Sequence, residues 1–277
     1  MINFIETPSP IKICDIGASP IDSTNFIDEL FENTNSELIG FEPNINEFQR
    51  LKKHNKKKYY NYAIGDGTEK VLNICKAAGM SSFLEPDLDY LKNFHGFEEW
   101  SKIIKKNKVK TKKLSDLDDK IDFLKIDVQG YESEIINYGK DKIKDCLVIQ
   151  LEVSPIPLYK KEKTFSYTIL ELEKLGFYLH MFNNVNTRTF KPTIIGNNPY
   201  FGLHHLFQLD CVLIKDLKII DTYDVEKLKK LILILFHSFK SYDLVDYLVR
   251  LLDKKSGEKN INKFRDIIPK LEMQKKY

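Results

Sequence analysis

Residues 121–130 read IDFLKIDVQG, and this stretch decides the fold. Ile121–Asp127 is nearly continuous in apolar residues, the mark of a strand buried on both faces at the centre of a parallel sheet. An acid ends the strand, Gly130 breaks it, and Tyr131–Tyr138 continues as a helix. The same alternation recurs on both sides of this unit, which predicts βαβ units and an α/β fold.

Toward the N-terminus, Ile11–Ile16 (IKICDI) reads as a strand closed by Gly17 and Ala18. Ser19 or Asp22 caps the next helix, whose Phe26, Leu30 and Phe31 fit a helical period. Glu37–Glu42 (ELIGFE) is a second strand, stopped by Pro43, with Asn44 capping a helix through Ile45, Phe48 and Leu51. Lys58–Ile64 reads as one third strand running into the Gly65-Asp66-Gly67 turn, and Val71–Cys75 as a short extra strand. From Pro86 to Asn107 the spacing of Leu88, Leu91, Phe94 and Phe97 is helical, interrupted by Gly96, and predicts an insertion packed over the sheet. Toward the C-terminus, Cys146–Glu152 is a strand and Phe165–Leu175 a helix with Gly176 after its end. Phe177–Phe182 and Phe207–Ile214 complete the sheet around a polar loop, Asn183–Gly202.

Beyond Asp221 the apolar residues step by threes and fours: Val225, Leu228, Ile232, Leu235 and Phe239, then Leu244, Leu248 and Leu251, then Ile261, Phe264, Ile268 and Leu271. This divides the chain into residues 1–220 and a helical extension, 221–277, which packs on its own domain or joins copies into a homo-oligomer.

The 277 residues are 42% hydrophobic and 30% charged, the balance of a soluble globular protein. A net charge of +3 is too weak a field to argue for a nucleic-acid partner. The lysine runs at residues 56–58, 105–106 and 112–113 read as solvated faces, the alternative being a basic patch toward an anionic donor or an acidic membrane. Cys14, Cys75, Cys146 and Cys211 stand singly, which suits a reducing compartment. The first ten residues carry no signal-peptide pattern, and the longest apolar run, Leu231–Phe236, is far short of the roughly 20 residues that span a bilayer. The expected location is cytoplasmic. The abundance of Lys, Asn and Ile suits an AT-rich bacterial genome.

In a doubly wound sheet, ligands sit beyond the carboxyl ends of the strands, which here carry Asp15, Glu42, Asp66, Asp127 and Glu152. Gly17 lets the backbone approach a ligand, but the GxGxxG cradle of a dinucleotide site is missing after it. Glu42, 27 positions after Asp15, can accept both hydroxyls of a ribose. A ribose acid without a phosphate loop favours S-adenosylmethionine over a nicotinamide cofactor.

The stretches KICDIGA (12–18), LIGFEPNINEFQRLKK (38–53), NYAIGDGTEKVLNI (61–74), GMSSFLEP (79–86), VKTKKLSDLDDKIDFLKIDVQGYESEIINYG (109–139) and LEVSPIPLY (151–159) stand in this order. With them the chain resembles an FkbM-type methyltransferase over about residues 10–215. The resemblance implies a Rossmann-like class I fold with a seven-stranded, mostly parallel sheet and an antiparallel last strand. It further implies that Asp15, Gly17 and Ala18 line the methionine portion of the cofactor, with Glu42, followed by Pro43, on the ribose. Asn61 to Asp66, Ala63 among them, and Ser81-Ser82 would lie near the adenine and the mouth, and Asp127 beside the transferring methyl. The acceptor it implies is a sugar hydroxyl.

A hydroxyl acceptor needs a general base, for which Asp127 is the first candidate and His204 and His205 the alternatives. Mg²⁺ is not expected; that alternative would gather Asp127, Glu132 and Glu152 around the ion. An amine or amide nitrogen, a non-sugar small molecule, a nicotinamide-dependent oxidoreductase and a non-catalytic binding module remain the competing readings.

Overall fold

A computed structural model of the chain describes residues 5–19, 25–51 and 55–267. Asp22, Ile268 and Leu271 lie outside the described residues.

The strands are β1 (Ile11–Ile16), β2 (Ser36–Phe41), β3 (Lys57–Tyr60), β4 (Ala63–Ile64), β5 (Glu69–Cys75), β6 (Ile103–Lys112), β7 (Phe123–Ile126), β8 (Val148–Val153), β9 (Phe177–Arg188) and β10 (His205–Lys215). The helices are α1 (Asn25–Asn33), α2 (Ile45–Arg50), α3 (Leu88–Leu91), α4 (Phe97–Trp100), α5 (Glu132–Ile143), α6 (Phe165–Glu173), α7 (Leu217–Ile220), α8 (Val225–Phe239), α9 (Tyr242–Ser256) and α10 (Asn260–Arg265). Seven strands form one sheet in the order β3-β2-β1-β7-β8-β10-β9. β1 pairs in parallel with β2 and β7, and β10 runs antiparallel to β8 and β9, as the resemblance implies. The strand order reverses between β1 and β7, where a doubly wound sheet opens its ligand crevice.

Alternation along the central strands builds two cores. Ile11, Ile13, Phe123 and Val148 face α1 and α8, while Cys14, Ile16, Leu124 and Ile149 face α5 and α6. Fully burying one such side chain stabilises the fold by about 1.5–3 kcal/mol. α8 belongs to the first core through Leu228, Leu231, Leu235 and their neighbours, which accounts for its apolar period. Asp224 caps its N-terminus by accepting the Lys227 N–H (2.8 Å). Lys230 ties it to the sheet at Asp122 (2.9 Å), whose carboxylate also accepts the Lys12 N–H (2.9 Å).

The structure departs from the sequence reading in the middle of the chain. The expected third strand is two: β3 lies on the main sheet, whereas β4 joins a small second sheet, β4-β6-β5. Asn61 makes the break between them, its amide donating to the carbonyls of Glu42 (2.8 Å) and Pro43 (3.2 Å). The insertion holds only two single-turn helices, α3 and α4, and then the ten-residue β6, the antiparallel partner of β5. Lysines at 106, 108, 110 and 112 take the exposed positions of that strand, so its period of two carries no apolar signal. β9 also runs on to Arg188, six residues into the expected polar loop.

Candidate active site

At the reversal, three backbone bonds draw the ends of β1, β2 and β7 together. Asp127 N–H donates to the Ile16 carbonyl (2.9 Å), and Gly17 and Ala18 N–H both donate to the Phe41 carbonyl (3.0 and 3.1 Å). Gly17 sits at φ +82°, and a Cβ there would lie 1.8 Å from the Asp127 carbonyl oxygen. Only glycine fits this crossing. A cleft opens above it, and Gly17, Glu42, Pro43, Ala63, Ser81, Ser82 and Asp127 line it together.

Glu42 is 6% exposed, and its Oε1 accepts the Asn44 N–H at 2.7 Å, which holds the carboxylate at the end of β2. Phe41, Ile64, Leu72 and Phe83 supply apolar walls. Ser81 and Ser82 accept backbone N–H bonds from Cys75 (3.1 Å) and Leu84 (3.0 Å), which leaves each hydroxyl proton available to donate. A carboxylate for a diol, apolar walls for a flat base and a glycine crossing fit an adenosine-bearing group without phosphate.

Three of the anticipated cofactor residues do not line the cleft. Asp15 is 4% exposed and lies below it, 3.4 Å from Lys125, which also stands 3.5 Å from Asp127. Burial pushes the Asp15 carboxyl up, and the Lys125 ammonium pulls it back only in part. Ala18 is buried. At Asp66, burial pushes the carboxyl up, but Lys70 (2.5 Å) and Thr68 together hold it well below the usual carboxylate range. Nor do His204 and His205 line the cleft: His205 stacks on Phe94 (5.6 Å) and its Nε2 bonds the Tyr90 hydroxyl (2.8 Å).

Asp127, Glu132 and Glu152 do not converge as a metal site would require. Glu132 is 2% exposed and turned inward, its Oε1 accepting the N–H groups of Val128 (3.0 Å) and Gly130 (3.1 Å). It braces the turn after β7, and burial pushes its carboxyl up to about 8. Among the described residues, no group of three His, Cys, Asp or Glu is placed to hold a metal ion.

The residue that sequence reasoning missed is Gln129. It takes φ +57°, a left-handed conformation that costs a non-glycine residue of order 1–3 kcal/mol and marks functional turns. Its Nε2 donates to Asp127 Oδ1 (3.0 Å) and Glu152 Oε2 (2.8 Å), and its Oε1 accepts from the buried Tyr159 hydroxyl (3.1 Å). Gln208 also donates to Glu152 Oε2 (2.7 Å). Asp210, opposite Glu152 on β10, is pushed up to about 6 by burial and then by Asp127. Period-two alternation along β10, which sets Gln208 and Asp210 on one face, was the available signal for both.

This sheet order, with a glycine-and-carboxylate cleft at its switch point, is that of the Rossmann-like class I methyltransferase fold. The methyltransferase FkbM domain matches residues 15–179, more than half of the chain, and the protein belongs to the FkbM methyltransferase family. Among solved structures, it is similar to a methyltransferase FkbM from Methylobacillus flagellatus KT, with 11% identity over 74% of this chain and 43% of that one and a TM-score of 0.40. The chain thus spans less than half the length of that protein. It is also similar to magnesium protoporphyrin IX methyltransferase from Synechocystis PCC 6803 with bound SAM, at 10% identity over 75% of this chain and 71% of that one, with a TM-score of 0.36. No curated protein matches the chain in sequence.

Proposed function

We propose that the protein transfers a methyl group from S-adenosylmethionine to a hydroxyl of a sugar or glycan precursor. The carrying observation is the row of carboxylates and carboxamides beside the cleft, Asp127, Gln129, Glu152 and Gln208, joined by bonds of 2.7–3.0 Å. Such groups satisfy the many donors and acceptors of a polyhydroxylated molecule.

When bound, S-adenosylmethionine supplies a methyl group already activated by its sulfonium charge. Glu42 would accept hydrogen bonds from the ribose hydroxyls, Phe41, Ile64, Leu72 and Phe83 would enclose the base, and Ser81 and Ser82 would donate at the mouth. Asp127 would take the proton that the acceptor hydroxyl loses when it is methylated. Gln129 fixes the Asp127 carboxylate for that task, and Glu152 binds a neighbouring hydroxyl.

The reading places the enzyme in the bacterial cytoplasm, in surface-polysaccharide or natural-product modification. No described helix is long and apolar enough to cross a membrane. The apolar faces of α8, α9 and α10 all pack into one core of the same chain, so contacts between copies through the C-terminal helices would use only the outward faces of α9 and α10.

The test is transfer from methyl-labelled S-adenosylmethionine to a panel of nucleotide sugars and amines, followed by carbon NMR of the product. A methoxy signal on a sugar is the expected result. Transfer to nitrogen with every sugar left untouched would contradict the proposal.

A further inference from the structure

Arg188, the last residue of β9, is a cation without a counter-charge. Its guanidinium lies over the rings of Phe97 (5.6 Å) and Phe207 (5.5 Å), and one of its terminal nitrogens donates to the Thr187 carbonyl (2.9 Å). Its Nε is buried with no hydrogen-bond partner, and no carboxylate among the described residues pairs with it. By contrast, Arg50 and Arg250 hold Glu47 and Asp246 at 2.8 and 2.7 Å. Burial alone acts on the Arg188 guanidinium and weakens its hold on its proton, with no acid near enough to offset it. A partly desolvated cation left in that state is costly unless an anion completes it.

The space for an anion exists. Arg188 lines a wide-mouthed depression of about 480 Å³ together with Thr189, Phe190, Leu203, His204 and His205. Phe190 and Leu203 supply its apolar lining, and Ile194, Tyr200, Phe201 and Leu206 in the same stretch of chain are, like them, each more than 40% exposed. Exposed apolar side chains gathered in one stretch mark a binding surface. The depression and the candidate active site share no lining residue, but β10 runs between them. Gln208, which holds Glu152, follows His205 by three residues on β10, roughly 10 Å along an extended strand.

We propose that this depression is a phosphate subsite. Arg188 binds the phosphoryl group of an organic phosphoester, and the apolar rim takes the group that the phosphoryl carries. A guanidinium presents the planar donor pair that phosphate oxygens accept. Only the identification of this ligand with the methyl acceptor rests on the proposed transfer reaction.

The test is calorimetric titration of phenyl phosphate, inorganic phosphate and phenol into the full chain and into Arg188→Met and Arg188→Lys. Phenyl phosphate is expected to bind the parent protein at least about tenfold more tightly than either other probe, a gap of about 1.4 kcal/mol. Arg188→Met removes that advantage and Arg188→Lys keeps part of it. Methionine retains an apolar stem between Phe97 and Phe207, and unchanged S-adenosylhomocysteine affinity shows that the variant is folded. Equal binding of phenyl phosphate by parent and Arg188→Met, equal binding of phenol, or no binding at all overturns the subsite. Equal affinity for inorganic phosphate overturns the role of the rim and assigns the site to a free anion. Failure of the parent to bind S-adenosylhomocysteine would count against the cofactor site instead, since the phenyl phosphate titration stands apart from it.

Discussion

Asp127→Asn is expected to lower methyl transfer by about 10²–10⁴-fold, the usual contribution of a positioned general base, while S-adenosylhomocysteine affinity stays within a few-fold. The substitution keeps the shape of the side chain and removes its ability to take a proton. Two donors face this side chain: Oδ1 accepts from Gln129 and Oδ2 lies 3.5 Å from the Lys125 ammonium. An asparagine here would present an amide to at least one of these two donors. Single-turnover rates measured beside a binding titration separate the two effects. A variant that turns over at the parent rate would remove Asp127 from the chemistry.

Gly17→Ala is expected to damage both fold and site. The added Cβ would lie 1.8 Å from the Asp127 carbonyl oxygen and 2.8 Å from its carbonyl carbon, and these backbone atoms cannot rotate away as a side chain does. The φ of +82° adds conformational strain. Strain and overpacking each cost about 1–3 kcal/mol, so a loss of about 2–6 kcal/mol follows. At about 2–4 °C per kcal/mol, the melting temperature falls by roughly 4 °C or more. Relief of the clash moves the β7 end that carries Asp127, so S-adenosylhomocysteine affinity falls as well. A Gly17→Ala protein with the parent melting temperature and affinity would show that the crossing is looser than this geometry.

The difference between the legible and the hidden parts of the molecule is physical. β1, β7 and β8 announce themselves because a central parallel strand is buried on both faces and needs an unbroken apolar run. The acids that end such strands are then placed by topology alone, which is how Glu42 and Asp127 come to line the cleft. Asp15 could not be placed in that way. It stands one residue before the end of β1, on the face of Ile11 and Ile13, with its side chain toward Lys125, and proximity to a strand end does not by itself put a side chain in the cleft. β6 stays hidden because its ribbon exposes lysines instead of burying an apolar face. The contacts of Gln129 come from Glu152 and Tyr159, 23 and 30 residues away, and no local pattern encodes them. The ring cluster around His205 is likewise assembled from residues 90, 94 and 190, which takes that histidine out of the cleft.

The measurement closest to the central claim is calorimetric titration of S-adenosylhomocysteine into the purified protein and into Glu42→Ala. The account predicts micromolar binding by the parent and a loss of tenfold or more in the variant, at least about 1.4 kcal/mol. The substitution removes the carboxylate that the Asn44 N–H holds at the end of β2, the group proposed to accept from the ribose hydroxyls. Equal affinity in both proteins would contradict the ribose contact, and no binding by a folded parent would contradict the assignment of this cleft to S-adenosylmethionine.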